Sequence, residues 1–209
     1  MSATQAPLFL QRLLRLGLQA QDDEELRLGK TLLNLGSLLF ALAALAWLGV
    51  CKAVDAGFPV LPALAGIERL VDVGSGGGLP GVVLAIARPD LQVDSVETVQ
   101  KKASFQNQAR IELKLPNFRA HHARIENWQP AYAPEAPDGI ISRAFADLAD
   151  FVALTAHLAG PDTRILAMKG IYPADEIARI PAGFALEQSI ELAVPGLDAE
   201  RHLLIVKRT

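Results

Sequence analysis

Val71-Asp72-Val73-Gly74-Ser75-Gly76-Gly77-Gly78-Leu79-Pro80-Gly81 decides the fold: a β-branched strand ends in an acid, and a glycine-rich bend then opens a helix. A bend that passes close to a ligand must tolerate positive φ and present bare backbone, which only glycine does without penalty. Pro80 suits the first turn of the following helix, where its missing N–H costs nothing. Gly76-x-Gly78-x-x-Gly81 also satisfies the G-x-G-x-x-G fingerprint of dinucleotide-binding folds. Asp72 favours a different ligand, because an acid at that strand end meets an ammonium group and repels a pyrophosphate. S-adenosyl-L-methionine carries such an ammonium, and it also carries a ribose. The second strand ends in Glu97, placed to accept both ribose hydroxyls, a role that a nicotinamide dinucleotide would ask of it equally. A helix or turn cap at Asp72 and a surface acid at Glu97 are the plainer alternatives.

Outward from this motif, short β-branched runs alternate with helical stretches. Strands are expected at Arg69–Val73, Gln92–Glu97, Phe118–His122, Gly139–Ser142 and Arg164–Met168. Helices are expected at Leu79–Ala87, Gln100–Leu115 and Leu148–Leu158. This alternation predicts an α/β fold, a mostly parallel doubly wound sheet with helices on both faces. Ala185–Leu192 and His202–Val206, with Pro195 and Gly196 between them, predict a terminal antiparallel hairpin. Before Ile67 the pattern changes: Leu8–Leu18 and Leu26–Val50 are rich in Leu, Ala, Arg, Glu and Gln, good helix formers. The expected division is a helical extension over 1–66 and a catalytic domain over 67–209.

With 209 residues, 51% of them hydrophobic, the chain can bury one α/β core and a small appendage. Cys51 is the only cysteine, and adjacent His121 and His122 lack ligand spacing, so no disulfide and no metal are expected. The N-terminus lacks the pattern of a signal peptide, which points to a cytoplasmic protein. A formal charge of -3 means that nucleic acid would have to be met by a local basic patch. Lys101, Lys102, Arg110, Lys114, Arg119 and Arg124, against the lone acid Glu112, supply one; a solvated helix face reads the same charges more plainly. Thr31–Cys51 has no charged residue and meets the length test for a membrane span. Asn34, Gly36, Ser37 and Gly49 dilute it, and a buried apolar helix is the preferred reading. No stable membrane association is expected.

The chemistry narrows by elimination. Neither Tyr132 nor Tyr172 is followed by Lys four residues on, which argues against a hydride-transfer relay. Attack on carbon five of a pyrimidine needs a thiol nucleophile, and Cys51 lies far upstream. Enzymes of exocyclic amines place an Asn/Asp-Pro-Pro-aromatic run after strand four, where this chain has Ser142-Arg143-Ala144-Phe145-Ala146. A ring nitrogen such as guanine N7 exposes a lone pair and needs alignment rather than a general base.

The chain resembles the small-subunit ribosomal RNA guanine-N7 methyltransferases, also called glucose-inhibited division protein B. The resemblance rests on the glycine motif, Glu97 with Lys101-Lys102, Leu113-Lys114-Leu115, Ile141 to Ala146, Met168-Lys169-Gly170, Val194-Pro195-Gly196-Leu197-Asp198 and Glu200-Arg201-His202-Leu203. It implies a class I methyltransferase, Rossmann-like in form, binding S-adenosyl-L-methionine. Its site would place Gly74 and Leu79 along the methionine side, Glu97 at the ribose, Ile125 with Glu126 at the adenine edge, and Arg143 where cofactor and RNA meet, with Asp72, Gly76 and Gly78 also among the cofactor-binding residues. Arg143, Lys169 and Arg201 are the RNA-facing candidates, for phosphate or guanine O6. Phe145 is the aromatic candidate for base stacking. The implied partner is 16S ribosomal RNA or the small ribosomal subunit, and the protein would act as a monomer. Between Leu32 and Phe58 the Trp-Asn, Asn-Leu-Thr, His and Asp-Ser elements of the family are missing, although the length is right. A reading frame shifted and then restored would leave that pattern. The alternatives kept open are another substrate for the same fold, impaired catalysis through the missing elements, and a membrane-tethered or interaction protein.

Overall fold

A computed structural model describes residues 60–143, 145, 147–192 and 200–209. The helices expected at Leu8–Leu18 and Leu26–Val50, the uncharged run Thr31–Cys51, and Val194–Asp198 lie outside the described residues. The compact unit that carries the sheet runs from Ala56 to Thr209. Its elements in order are α1 (Val60–Ala63), β1 (Arg69–Val73), α2 (Gly81–Ala87), β2 (Gln92–Glu97), α3 (Gln100–Glu112), β3 (Phe118–His122), a 3-10 turn (Ile125–Asn127), β4 (Gly139–Arg143), α4 (Leu148–Thr155), β5 (Arg164–Lys169), α5 (Ala174–Ile177), β6 (Phe184–Glu191) and β7 (His202–Arg208).

The strands form one sheet in the order β3-β2-β1-β4-β5-β7-β6. The first five are parallel, and β7 and β6 are antiparallel. Alternation along β1, β2, β4, β5 and β7 gives the middle of the sheet two buried faces, whereas edge strand β6 has no buried residue. On one face Val71, Val73, Val96, Ile140, Ile165 and Ala167 pack with Leu148, Phe151 and Val152 of α4 and with Trp128. On the other, Asp72 meets the start of α2 through Gly81, and Ser95 meets α3 through Gln106. Helices therefore cover both faces, as a parallel sheet requires. Among the described residues no helix is long and apolar enough to cross a membrane.

Three helix ends depart from the sequence reading, each through local hydrogen bonding. The N–H groups of Gly78 and Leu79 both donate to Ser75 O, so the bend winds on through Leu79 and α2 begins at Gly81 rather than Leu79. Lys114 takes a left-handed φ of 51° and Leu115 N donates back to Arg110 O, so α3 stops at Glu112 rather than Leu115. At α4, Asp147 caps the start by accepting from Ala149 N, and Thr155 Oγ1 donates to Phe151 O where regular helix gives way to turn.

Candidate cofactor and nucleic-acid site

β1 and β2 deliver their last residues side by side, since Asp72 is in register with Ser95 and Val73 with Val96. Gly74 N donates to Val96 O at 2.9 Å and so prolongs the ladder into the glycine bend. Beyond it the Gly76 peptide is held on both sides. Its N–H donates to Glu97 Oε2 at 2.9 Å, and its carbonyl accepts from Gln106 Nε2 at 2.8 Å. Ser95 Oγ donates to Gln106 Oε1 at 2.7 Å and thereby fixes which end of the amide faces the bend. Gly76 has φ +58°, and a Cβ placed there would meet nothing within 4 Å. The bend is therefore rigid from below and open above, the geometry a ligand lying over bare backbone needs.

Glu97 is almost fully buried, and its other oxygen accepts from Val99 N at 2.9 Å, which settles the chain's entry into α3. Oε1 also accepts from Thr98 Oγ1 at 3.5 Å, whereas Oε2 has a single donor and keeps a second lone pair able to accept a ribose hydroxyl. Asp72 is completely buried. Its Oδ2 accepts from Gly81 N at 2.8 Å, in the manner of a cap, and a Cβ on Gly81 would lie 2.5 Å from that oxygen. Burial pushes the carboxyl up to about 6, against the opposing pull of the Ser75 hydroxyl, the Gly81 amide and the Arg143 charge. Only the amide closes a hydrogen bond: Asp72 Oδ1 and Ser75 Oγ are both buried without a partner. The capping alternative thus describes what Asp72 Oδ2 does to α2, while its Oδ1 stays buried beneath the bend with no hydrogen-bond partner among the described residues.

Ile125 and Glu126 follow β3 in the 3-10 turn, tied to Glu97 by Ala123 N donating to Glu97 O. The Ile125 side chain is buried in the core beside Trp128, so only its backbone is presented, whereas Glu126 is exposed. Leu79 is half-buried at the end of the bend. Arg143 ends β4 exposed and, among the described residues, has no ion-pair partner.

Lys169 differs from the sequence expectation. Its Nζ donates to Glu176 Oε2 at 2.6 Å and to Phe145 O at 3.3 Å, and the side chain is only 11% exposed. Glu176 Oε2 also accepts from Leu148 N at 2.7 Å. Lys169 therefore ties β5 to the segment after β4 and to α5, with its charge already compensated. Phe145 is likewise committed: its ring packs on Phe151 at 5.3 Å, and its Cδ2 lies 4.0 Å from a Cβ built on Gly74. Arg201 is half-buried just before β7, with Nη1 donating to Glu200 O.

Gln106 and Glu176 bind the elements around the bend to one another, and neither was picked out from the sequence. Gln106 carried a signal: Ala103, Gln106 and Ala109 are the buried residues of α3, and a polar residue in a buried stripe needs a partner. Glu176 carried none, because its partners come from β5 and α4. Gln106→Leu is expected to orphan Gly76 O and strip Ser95 Oγ of its acceptor. The cost is about 1–3 kcal/mol in a thermal or urea melt, with a several-fold loss of nucleoside affinity by calorimetry. A variant that melts and binds like the parent would remove this role.

Comparison with known proteins places this geometry in a family. The model of rRNA small subunit methyltransferase G matches residues 56–204. The chain is 59% identical over 150 residues to Ribosomal RNA small subunit methyltransferase G of Azoarcus sp. (strain BH72), covering 71% of this chain and 69% of that protein. It is 60% identical over 154 residues to the protein of the same name from Aromatoleum aromaticum, covering 71% of each. In fold it is similar to a SAM dependent methyltransferase from Aquifex aeolicus, with TM-score 0.55, 14% identity and coverage of 72% of this chain and 90% of that one. The match begins beyond most of the segment 32–58 in which the family elements are missing. A glycine bend braced by an acid from the neighbouring strand, in this strand order and with these relatives, makes the chain a member of the rRNA small subunit methyltransferase G family, S-adenosylmethionine-dependent methyltransferases of class I fold.

Proposed function

We propose that the chain methylates N7 of a guanine in 16S ribosomal RNA, acting in the cytoplasm as a monomer on the RNA or the small ribosomal subunit. The single observation that carries the reading is the Gly76 peptide clamped by Glu97 and Gln106 beneath open space, with the exposed Arg143 on an adjoining strand. The residues fit S-adenosylmethionine: Glu97 for the ribose, the 3-10 turn at Ile125 and Glu126 for the adenine edge, and the bend from Gly74 to Leu79 for the methionine side. Asp72 supplies negative charge from below rather than an exposed contact. The bound cofactor supplies an electrophilic methyl on a sulfonium.

The protein's own contribution is positioning. Asp72 is sealed beneath the bend and Glu97 is committed to two backbone amides, so neither is placed as a general base for the methyl acceptor. A ring nitrogen with an exposed lone pair requires none, and alignment of acceptor and methyl lowers the barrier. Arg143 and Arg201 are the groups to hold phosphate or guanine O6. Lys169 acts through Phe145 and Glu176, keeping the segment after β4 against the bend.

The test is transfer of labelled methyl from S-adenosylmethionine to 16S ribosomal RNA that lacks the modification, with the product mapped by mass. Wild-type protein is expected to label one guanine at N7. Arg143→Ala is expected to lower RNA methylation by at least about 10-fold, the worth of one charge-assisted contact, while cofactor binding changes far less. Label on another base, or on none, overturns the reading; equal loss of cofactor binding in Arg143→Ala overturns the role of that arginine.

A further inference from the structure

We propose that the loop leaving β5 is a stacking platform for an unpaired nucleobase of the RNA substrate, with the Tyr172 ring as its face. The inference rests on the RNA-methyltransferase reading above and adds the side chain that receives a base beside the transfer site. Gly170 to Pro173 prolong β5 beyond Lys169, and β5 lies in register with β4 through Arg143 and Met168. The loop therefore stands at the carboxyl rim of the sheet, where open α/β folds bind ligands. Ile165 and Leu166 earlier in the same strand are fully buried, yet Ile171 is 79% and Tyr172 44% exposed. Two adjacent large apolar residues exposed at a functional rim call for a partner.

The ring is held ready for one. His202 meets Tyr172 edge-on, with centroids 5.6 Å apart and planes at 71°. The His202 ring is itself anchored, its Nδ1 donating to Gly170 O at 2.8 Å, and β7 holds its backbone opposite Lys169. An aromatic fixed before binding loses little freedom when a base stacks on it. Arg201 precedes His202, and its Nη1 would lie 3.7 Å from a Cβ on Gly170, so a guanidinium flanks the same loop. An exposed ring beside an arginine is the combination that receives splayed-out bases of single-stranded RNA and their phosphates. Phe145 does not compete for the role, since its ring is packed on Phe151.

The test measures KM for 16S ribosomal RNA, kcat and cofactor affinity in Tyr172→Ala, Tyr172→Leu, Tyr172→Phe and Tyr172→Trp. Losing the ring is expected to raise the RNA KM roughly 10- to 100-fold, the worth of one stacked base. Cofactor affinity should stay at the parental value, and Phe and Trp should restore the KM to within about threefold of the parent. Tyr172→Leu keeps apolar bulk and so separates stacking from loss of packing. A parental KM in Tyr172→Leu overturns the proposal, and so does a Phe variant as damaged as the Ala variant. Anisotropy of a labelled unpaired purine oligoribonucleotide, parent against Tyr172→Leu, reads the platform without turnover. Absence of methyl transfer by the parent, with ring-dependent oligonucleotide binding intact, would count against the methyltransferase reading alone.

Discussion

Glu97→Gln is expected to weaken S-adenosylmethionine binding by roughly 10- to 100-fold although it leaves side-chain volume almost unchanged. The reason lies in what the two oxygens already do. Oε2 accepts from Gly76 N and Oε1 from Val99 N, both at 2.9 Å. A carboxylate can serve both donors, but an amide has one oxygen and one NH2, so one backbone N–H must face another donor. Either the glycine bend is released or the entry to α3 is, in a buried setting where an unmet group costs about 1–3 kcal/mol. The ribose loses a charged acceptor as well. Calorimetry with S-adenosylmethionine and its demethylated product measures the effect, and parental affinity in the Gln variant would remove Glu97 from the cofactor site.

Asp72→Asn should do the opposite to stability and the same to binding. The carboxyl is raised to about 6 from an ordinary value near 4, chiefly because burial disfavours its charge. Between those two values the native protein binds the proton and the unfolded chain does not, so stability falls as pH rises through that window. The group imposes no penalty below pH ~4 and its full penalty, on the order of 3 kcal/mol, above pH ~6. Asparagine keeps an oxygen for Gly81 N and can turn its NH2 toward Ser75 Oγ, so that neither buried orphan remains. The variant is therefore expected to be more stable than the parent at pH 7, with the difference closing as the pH is lowered toward 4. Cofactor affinity should drop, because the charge beneath the bend is gone. Urea melts across this pH range decide it: parallel pH profiles for the two proteins would show that Asp72 is not a strained buried anion. A charge retained at such a cost to stability points to a ligand that needs it.

Most strands were legible because short runs containing Val or Ile alternate with helical stretches and turn residues, and β3, which has no β-branched residue, because it falls in that alternation after α3. β1, β2 and β3 have the expected bounds, and the remaining strands differ by only a residue or two at their ends. The helix ends were less legible, since left-handed Lys114 and the hydrogen bonds onto Ser75 O follow no periodic pattern. In the site, the glycine bend and Glu97 could be read because their spacing is a local property of one βα unit. Lys169, expected as an RNA-facing candidate, has partners in Glu176 and Phe145 that lie beyond its own strand and follow no pattern along the chain.

By itself, then, the order of residues determined the parallel sheet, the glycine bend at its rim, the acid that follows on the neighbouring strand, and the family to which they belong. Each depends on period or spacing along the chain. Tertiary structure alone decided that Gln106 grips Gly76 O, that Asp72 is sealed with one oxygen unmet, that Lys169 is spent on Glu176, and that Tyr172 is left partly exposed while Phe145 packs on Phe151. Those outcomes depend on which side chains the sheet register and helix docking bring within about 3 Å of one another, and hydrogen bonds are sensitive to distance on that scale.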